Sequence, residues 1–525
     1  MKSSSLTAAS ALALATIPAP AVAQMNMPGM KMPAKQVKSP LKAANKPTKK
    51  HAAKRARKKP AVRHKKAAFE VPMSKPMSGG SETMPMPKSG GNAIPPMGSS
   101  QMGQGTMTMP MPQPSTANLA PMGQMLMGQT PMPGMGKGSM TMGAVLGSYP
   151  PQRESSGTSW QPDATTPMSG PMAMSGGWML MAHGDLNLVY DHQSGSRGDD
   201  KAFASGMLMG MAQHPLGGGT VQFRAMLSPD PLMGPSGYPL LLASGETANG
   251  RDRLIDRQHP HDFFMELSAT ASQKIGPESS VFLYVGLPGE PAFGPPTFMH
   301  RESIMDSPEA PITHHWLDST HITFGVVTAG LVVDQVKIEA SRFNGREPDQ
   351  HRWNIETGPL DSTAIRVSWN PMRTLALQGS FAHLVEPEQL EPGMNQTRWS
   401  ASAMWADDVA PRWHAAATLA WGRKSSQGHN DDGIAAEASL KHSQWTIFGR
   451  LETIENRELI QGQDQPAYRV GKISLGAVRD FRIADHLSLG GGGVFSLNFV
   501  PDALAPLYGG HNPTGAMAFL RLKLN

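Results

Sequence analysis

The 525-residue chain contains no cysteine, which excludes a disulfide framework, thiol nucleophiles and thiolate metal ligands. After its first two dozen residues it also lacks any apolar run near the ~18 residues of a transmembrane helix. Acidic side chains are missing from its beginning. Between Lys31 and Lys66 there are fifteen Lys or Arg and no Asp or Glu, and the first acid is Glu70. Without those fifteen and Lys2, 31 basic residues face 41 acidic ones, a balance of −10. The formal charge of +6 therefore describes a tail rather than the body of the protein.

The chain opens with Lys2, an apolar run from Leu6 to Ile17, and Ala21-Val22-Ala23 before Gln24. This pattern reads as a secretory signal peptide over 1–23. An exported chain with no helical anchor is expected in a bacterial outer membrane, where strands rather than helices span the lipid.

Residues 24–175 show almost no hydrophobic periodicity, and such a composition cannot bury enough apolar surface to offset its ordering entropy, so disorder is expected. The segment divides into a Lys-rich part, 24–70, and a Met/Pro/Gly-rich part, 71–175. KKHAAKRARKKPAVRHKK at 49–66 suits an anionic periplasmic surface such as cell-wall carboxylates or phospholipid. Export argues against nucleic acid as a partner. Of the 38 methionines, 23 fall between Met25 and Met174, many as Met-x-Met pairs. Among these are Met84/Met86, Met107/Met109/Met111, Met140/Met142 and Met172/Met174. Thioethers are soft, uncharged ligands that select Cu(I) or Ag(I), so this part is expected to bind copper.

From Trp178 onward the period changes to two. Ile365, Val367 and Trp369 alternate with Ala364, Arg366 and Ser368, and Trp413, Ala415, Ala417, Leu419 and Trp421 form another apolar row. Successive strand residues point to opposite faces, so each row is one apolar face with a polar face behind it. Strands of about ten residues, Trp at the row ends, and Ala/Gly-rich apolar rows favour a membrane barrel over a soluble sandwich. Segments at 178–190, 202–213, 219–228, 262–274, 280–287, 319–329, 333–343 and nine more to 514–524 make about sixteen strands. Their connections alternate tight and long. The expected fold is all-β, an outer-membrane antiparallel barrel over 176–525, with both termini on the periplasmic side.

Two constellations carry candidate chemistry. On the first strand Met179, Met181 and His183 have lumen-facing parity, while the direction of Met207, Met209 and Met211 on the second is ambiguous. If those point inward, a thioether track continues the tail's chemistry. The long connections hold DRQHPHDFF, with His259 and His261, and FMHRESIMDSPEAPITHHWLDSTH, with His300, His314, His315 and His321. These imidazoles can bind a borderline metal beside carboxylates, or pack in the barrel mouth paired with Asp and Arg. Ser303, Ser307 and Ser319 lie nearby without a nucleophile motif, so the chain is not expected to be an enzyme.

A Met-rich exported leader joined to an outer-membrane barrel resembles the copper-resistance B family of outer-membrane proteins. The resemblance rests on the Met-x-Met pairs and the architecture, and it implies copper tolerance. The reading from sequence is thus a barrel that handles copper or silver, with a general porin or solute channel, its tail anchored to the cell wall, as the alternative. The oligomeric state is not legible.

Overall fold

The computed structural model describes residues 142–462 and 466–525. Sixteen strands close on themselves through antiparallel pairing. In chain order they are β1 Trp178–Gln193, β2 Asp200–Leu216, β3 Gly219–Leu227, β4 Phe264–Gly276, β5 Ser279–Gly286, β6 Val326–Val333, β7 Val336–Phe343 and β8 Ser362–Met372. β9 Leu375–Leu384, β10 Gln396–Ala410, β11 Trp413–Ser426, β12 His429–His442, β13 Trp445–Asn456, β14 Tyr468–Ala484, β15 Leu487–Phe499 and β16 Thr514–Leu524 follow. Every consecutive pair is hydrogen-bonded, and β16 returns to β1 with Leu520 opposite Leu188. Closure removes the sheet edges, so no backbone amide of a central strand is left unpaired toward lipid.

The two faces divide as the alternation requires. Outward rows are exposed and apolar: Ile365, Val367 and Trp369 on β8, Leu419 on β11, Ile447 and Leu451 on β13, Leu520 and Leu522 on β16. Inward rows are polar and buried, with Arg366, Arg398, Glu437, Arg450 and Lys472 among them. Apolar outside and charged inside is the inverse of a soluble core and suits a lipid solvent. Trp178, Trp413 and Trp445 open their strands at one end, and Trp399 and Tyr190 lie toward the other, as aromatic girdles do. No helix among the described residues is long and apolar enough to cross a membrane.

Seven connections at one end are two-residue turns: 217–218, 277–278, 334–335, 373–374, 411–412, 443–444 and 485–486. Ser443 and His486 take φ of 55° and 59°, the positive values that let a tight turn follow the strands' right-handed twist. Both chain ends of the barrel, Trp178 and Leu524, lie at this short-turn end, which is the periplasmic side in outer-membrane barrels.

Three boundaries differ from the sequence reading. The strand expected at 319–329 begins only at Val326. Ile322 and Phe324 do alternate, but both are buried inside the barrel, and residues 319–321 form a short 3-10 turn. The connection between β11 and β12, which the tight–long alternation makes a long one, shrinks to 427–428 because both strands extend past the rest of it. The barrel's folded unit also starts before residue 176. Val145, Leu146, Arg153 and Trp160 are buried, although composition grouped them with a disordered segment. A short strand, Met172–Ser175, pairs with β1. The signal peptide at 1–23, the Lys-rich part at 24–70 and residues 71–141 lie outside the described residues.

Candidate functional site

The lumen is crossed by the long connection 287–325. Its anchor is Arg301, whose Nε and Nη2 donate to Glu437 Oε2 and Oε1 of β12 at 2.9 and 2.8 Å. Its Nη1 donates to Asp318 Oδ2 at 2.7 Å and to the Pro296 carbonyl at 2.8 Å. Around the barrel, Ala292 N donates to Ser341 of β7 and Gly294 N to Ser380 of β9. Thr313 Oγ1 donates to Glu452 of β13, Lys472 of β14 donates to Glu309, and Arg521 of β16 donates to Asp306 at 2.7 Å. Buried charges are tolerated only when paired and hydrogen-bonded, and these are. The inward charges that the strand alternation revealed are therefore the sockets of a loop that crosses the lumen.

A second insert comes from residues 142–167. Thr158 Oγ1 donates to Glu339 Oε2 of β7 at 2.6 Å, and Arg224 of β3 donates to the carbonyls of Ser155 and Gly157. Asn370 of β8 donates to the Gln161 carbonyl at 2.8 Å. Arg153 holds Asp163 at 2.6 Å and lies over the Trp160 ring. The two inserts meet where Thr297 N donates to Ser156 Oγ at 3.0 Å.

On the long-loop side, loop 287–325 is locked by histidines. His259, His261, His314, His315 and His321 are all buried, with ring centroids 5.2 Å apart for His314–His321 and 5.3 Å for His261–His321. His261 Nδ1 lies 2.8 Å from Asp230, His314 Nδ1 2.8 Å from Asp318, His315 Nδ1 3.4 Å from Glu347, and His259 Nε2 3.1 Å from Glu246. Arg352, from the connection 344–361, holds Asp262 and Glu246. Burial and surrounding positive groups hold His259 and His321 well below the ordinary imidazole range. Burial likewise lowers His314, against the pull of Asp318. His315 moves the other way, since Glu347 outweighs its burial.

At the short-turn end lies a cavity of about 910 Å³, reaching exposed turn residues such as Ser443 and His486. Its inner wall carries Met181, Met207, Met211, His183, Arg224 and His300. The ambiguous row of β2 is thereby resolved. Met207, Met209 and Met211 face inward and pack with Met181, Met226, Met265, Ile322 and Phe324. Met181 and His183 face the lumen as their parity predicts, Met142 and Met172 are half-buried beside this cluster, Met179 is half-buried at the mouth, and Met174 is exposed. Met84, Met86, Met107, Met109, Met111 and Met140 lie outside the described residues.

Copper handling is not supported. Among the described residues no group of three or more His, Cys, Asp or Glu is placed to hold a metal ion. The imidazoles of His259, His261, His314 and His315 are committed to carboxylates, and the strand thioethers pack against hydrocarbon as ordinary adaptable core.

No family model and no curated protein matches the chain. Solved structures do match. Salmonella typhi OmpF in complex with daunomycin aligns with 67% of this chain and all of its own, at 11% identity and a TM-score of 0.43. OmpT of Vibrio cholerae aligns with 67% of this chain and all of its own, at 6% identity and 0.39. An anion-selective porin from Comamonas acidovorans aligns with 66% of this chain and 99% of its own, at 12% and 0.37. The chain is an outer-membrane β-barrel. The resemblance to the copper-resistance B family does not hold: no family model matches the chain, and no metal-holding group of His, Cys, Asp or Glu is present among the described residues.

The loop sockets were visible in sequence as charges of lumen-facing parity, such as Arg366 and Glu437. Their partners Arg301, Glu309 and Asp318 had no periodic signal.

Proposed function

We propose that the protein is an outer-membrane solute channel that rests closed. What supports this reading is a polar, charge-lined lumen crossed by loop 287–325, with a cavity of about 910 Å³ left open toward the short-turn end. A barrel kept only as a scaffold needs no chamber of that size, and ligand chambers for small molecules fall in this range. Passage requires loop 287–325 to leave its sockets, so solutes enter the chamber from one side and cross when the loop moves. Liposome swelling tests this with purified full-length protein. The wild type should admit small neutral solutes slowly and Arg301→Ala much faster. Equal, negligible rates for both proteins would overturn the reading.

The basic stretch 49–66 completes the proposal as a cell-wall contact. Co-sedimentation of the full-length protein with purified peptidoglycan should be lost when these Lys and Arg are replaced by Gln.

A further inference from the structure

The inner end of the chamber holds three buried polar groups with nothing to bond. His183 on β1 and His300 on loop 287–325 are each 8% exposed, and their Nε2 atoms have no hydrogen-bond partner. Arg224 on β3 uses both terminal nitrogens on Glu266 and on the carbonyls of Ser155 and Gly157, yet its Nε is also unpartnered. Leaving such groups unsatisfied is costly, and three on three separate elements that line one chamber call for a ligand that bonds them. The charged groups acting on the two imidazoles are cations: Lys523 and Arg224 on His183, and Arg224 on His300. Burial, aided by His183 and Arg224, pushes His300 down to about 3, so it is neutral at ordinary pH and keeps one ring N–H to donate.

The acids that line the same chamber are already engaged. Glu302 holds His414 at 3.1 Å and Lys441 at 3.3 Å, Arg521 bonds both Asp306 and Asp480, and Asp185 accepts from Asn187 at 2.6 Å. They offer a cationic solute little free charge. Beside the imidazoles the wall is thioether. Met181 of β1 and Met207 and Met211 of β2 line it, Met211 lying opposite Met181 in the β1–β2 register, and Met305 comes from the loop. Methionine side chains adapt their shape to apolar bodies of varied outline.

We infer that the inner end of the chamber binds the carboxylate of a small organic acid, held by the unpartnered nitrogens of His183, His300 and Arg224, with its apolar body on the methionine wall. The inference deepens the channel reading by naming its solute class. Binding to the resting protein does not depend on conduction, so the two fail separately.

The test is equilibrium dialysis of radiolabelled benzoate against the detergent-solubilised full-length protein, with heat-modifiable gel migration as the folding control. Benzoate should bind saturably, with excess phenylacetate displacing it and benzyl alcohol failing to do so. His183→Leu and His300→Leu should each weaken binding at least tenfold while still folding, because neither removes a protein hydrogen bond. Met305→Trp, which fills the chamber and keeps both imidazoles, should also exclude benzoate. Absence of saturable binding, displacement by the alcohol, or unchanged affinity in all three variants would overturn the inference. Benzoate bound by a protein that swells no liposomes would leave the site standing and remove the channel.

Discussion

Arg301 and Glu437 form a two-pronged ion pair, 2.9 and 2.8 Å at its two contacts, between the middle of loop 287–325 and the inner face of β12. Both side chains are essentially excluded from solvent, at 1% and 0% exposure. Removing one partner of such a pair leaves the other charge buried and alone, at a cost of about 3–5 kcal/mol. Arg301→Ala should therefore release the loop without unfolding the barrel, whose ladder it does not touch. Limited proteolysis should cut within 287–325 in the variant and spare the wild type. Equal resistance in both would mean that other sockets suffice.

The second insert has a similar single point of attack. Thr158 Oγ1 donates to Glu339, which is shared with Lys337 and Arg366. Thr158→Val keeps the shape and removes a hydrogen bond to a charged acceptor, worth about 1.5–3 kcal/mol. Hydrogen exchange should accelerate over 145–165 and stay unchanged in β13–β15. Uniform acceleration throughout the barrel would contradict a locally docked insert.

The strands were legible because membrane barrels write lipid and lumen into alternate residues, and sixteen segments with tight and long connections follow from that alone. Failures came where tertiary contacts decided. Ile322 and Phe324 carry strand alternation, yet they cap the methionine cluster from a loop. Residues 142–167 are Pro-, Gly- and Ser-rich, and their ordering comes from strand side chains such as Arg224 and Asn370 bonding their carbonyls. Trp160 and the pair Val145-Leu146 were the available signals. The histidines were found, but the spacing in HPHDFF could not tell a metal site from imidazoles committed to Asp230 and Glu246.

The methionine cluster supplies a test of the corrected copper reading. If Met207, Met209 and Met211 act as packing, their simultaneous change to Leu conserves volume and should cost under about 1.5 kcal/mol per site. Denaturation midpoints and liposome swelling should stay near wild type. Loss of cell growth in copper-containing medium, with folding and swelling intact, would reopen the metal role.

The histidine lock gives a pH dependence whose sign follows from burial. His321 is held well below its unfolded value near 6.5, so the docked state binds fewer protons than the undocked one. Its contribution is fully present above pH ~6.5 and is lost as pH falls toward its depressed docked-state value. Asp262, pushed up to about 6 by burial, acts in the opposite sense, as does His315. The comparison that isolates one group is wild type against His321→Asn. The wild type's advantage in loop protection should shrink as pH drops from 7.5 to 5. An advantage that grows on acidification would reverse the assignment.

The central claim is that loop 287–325 closes the lumen and must move for solute to pass. Ser303 Oγ on the loop lies 2.8 Å from Thr418 Oγ1 on β11, and the chain has no other cysteine to interfere, so Ser303→Cys with Thr418→Cys places a single bridge across that contact. Planar-bilayer recording of this double variant is the most direct measurement. The account predicts no openings while the bridge is oxidised, and openings on adding reductant to the same membrane. Identical conductance before and after reduction would contradict it.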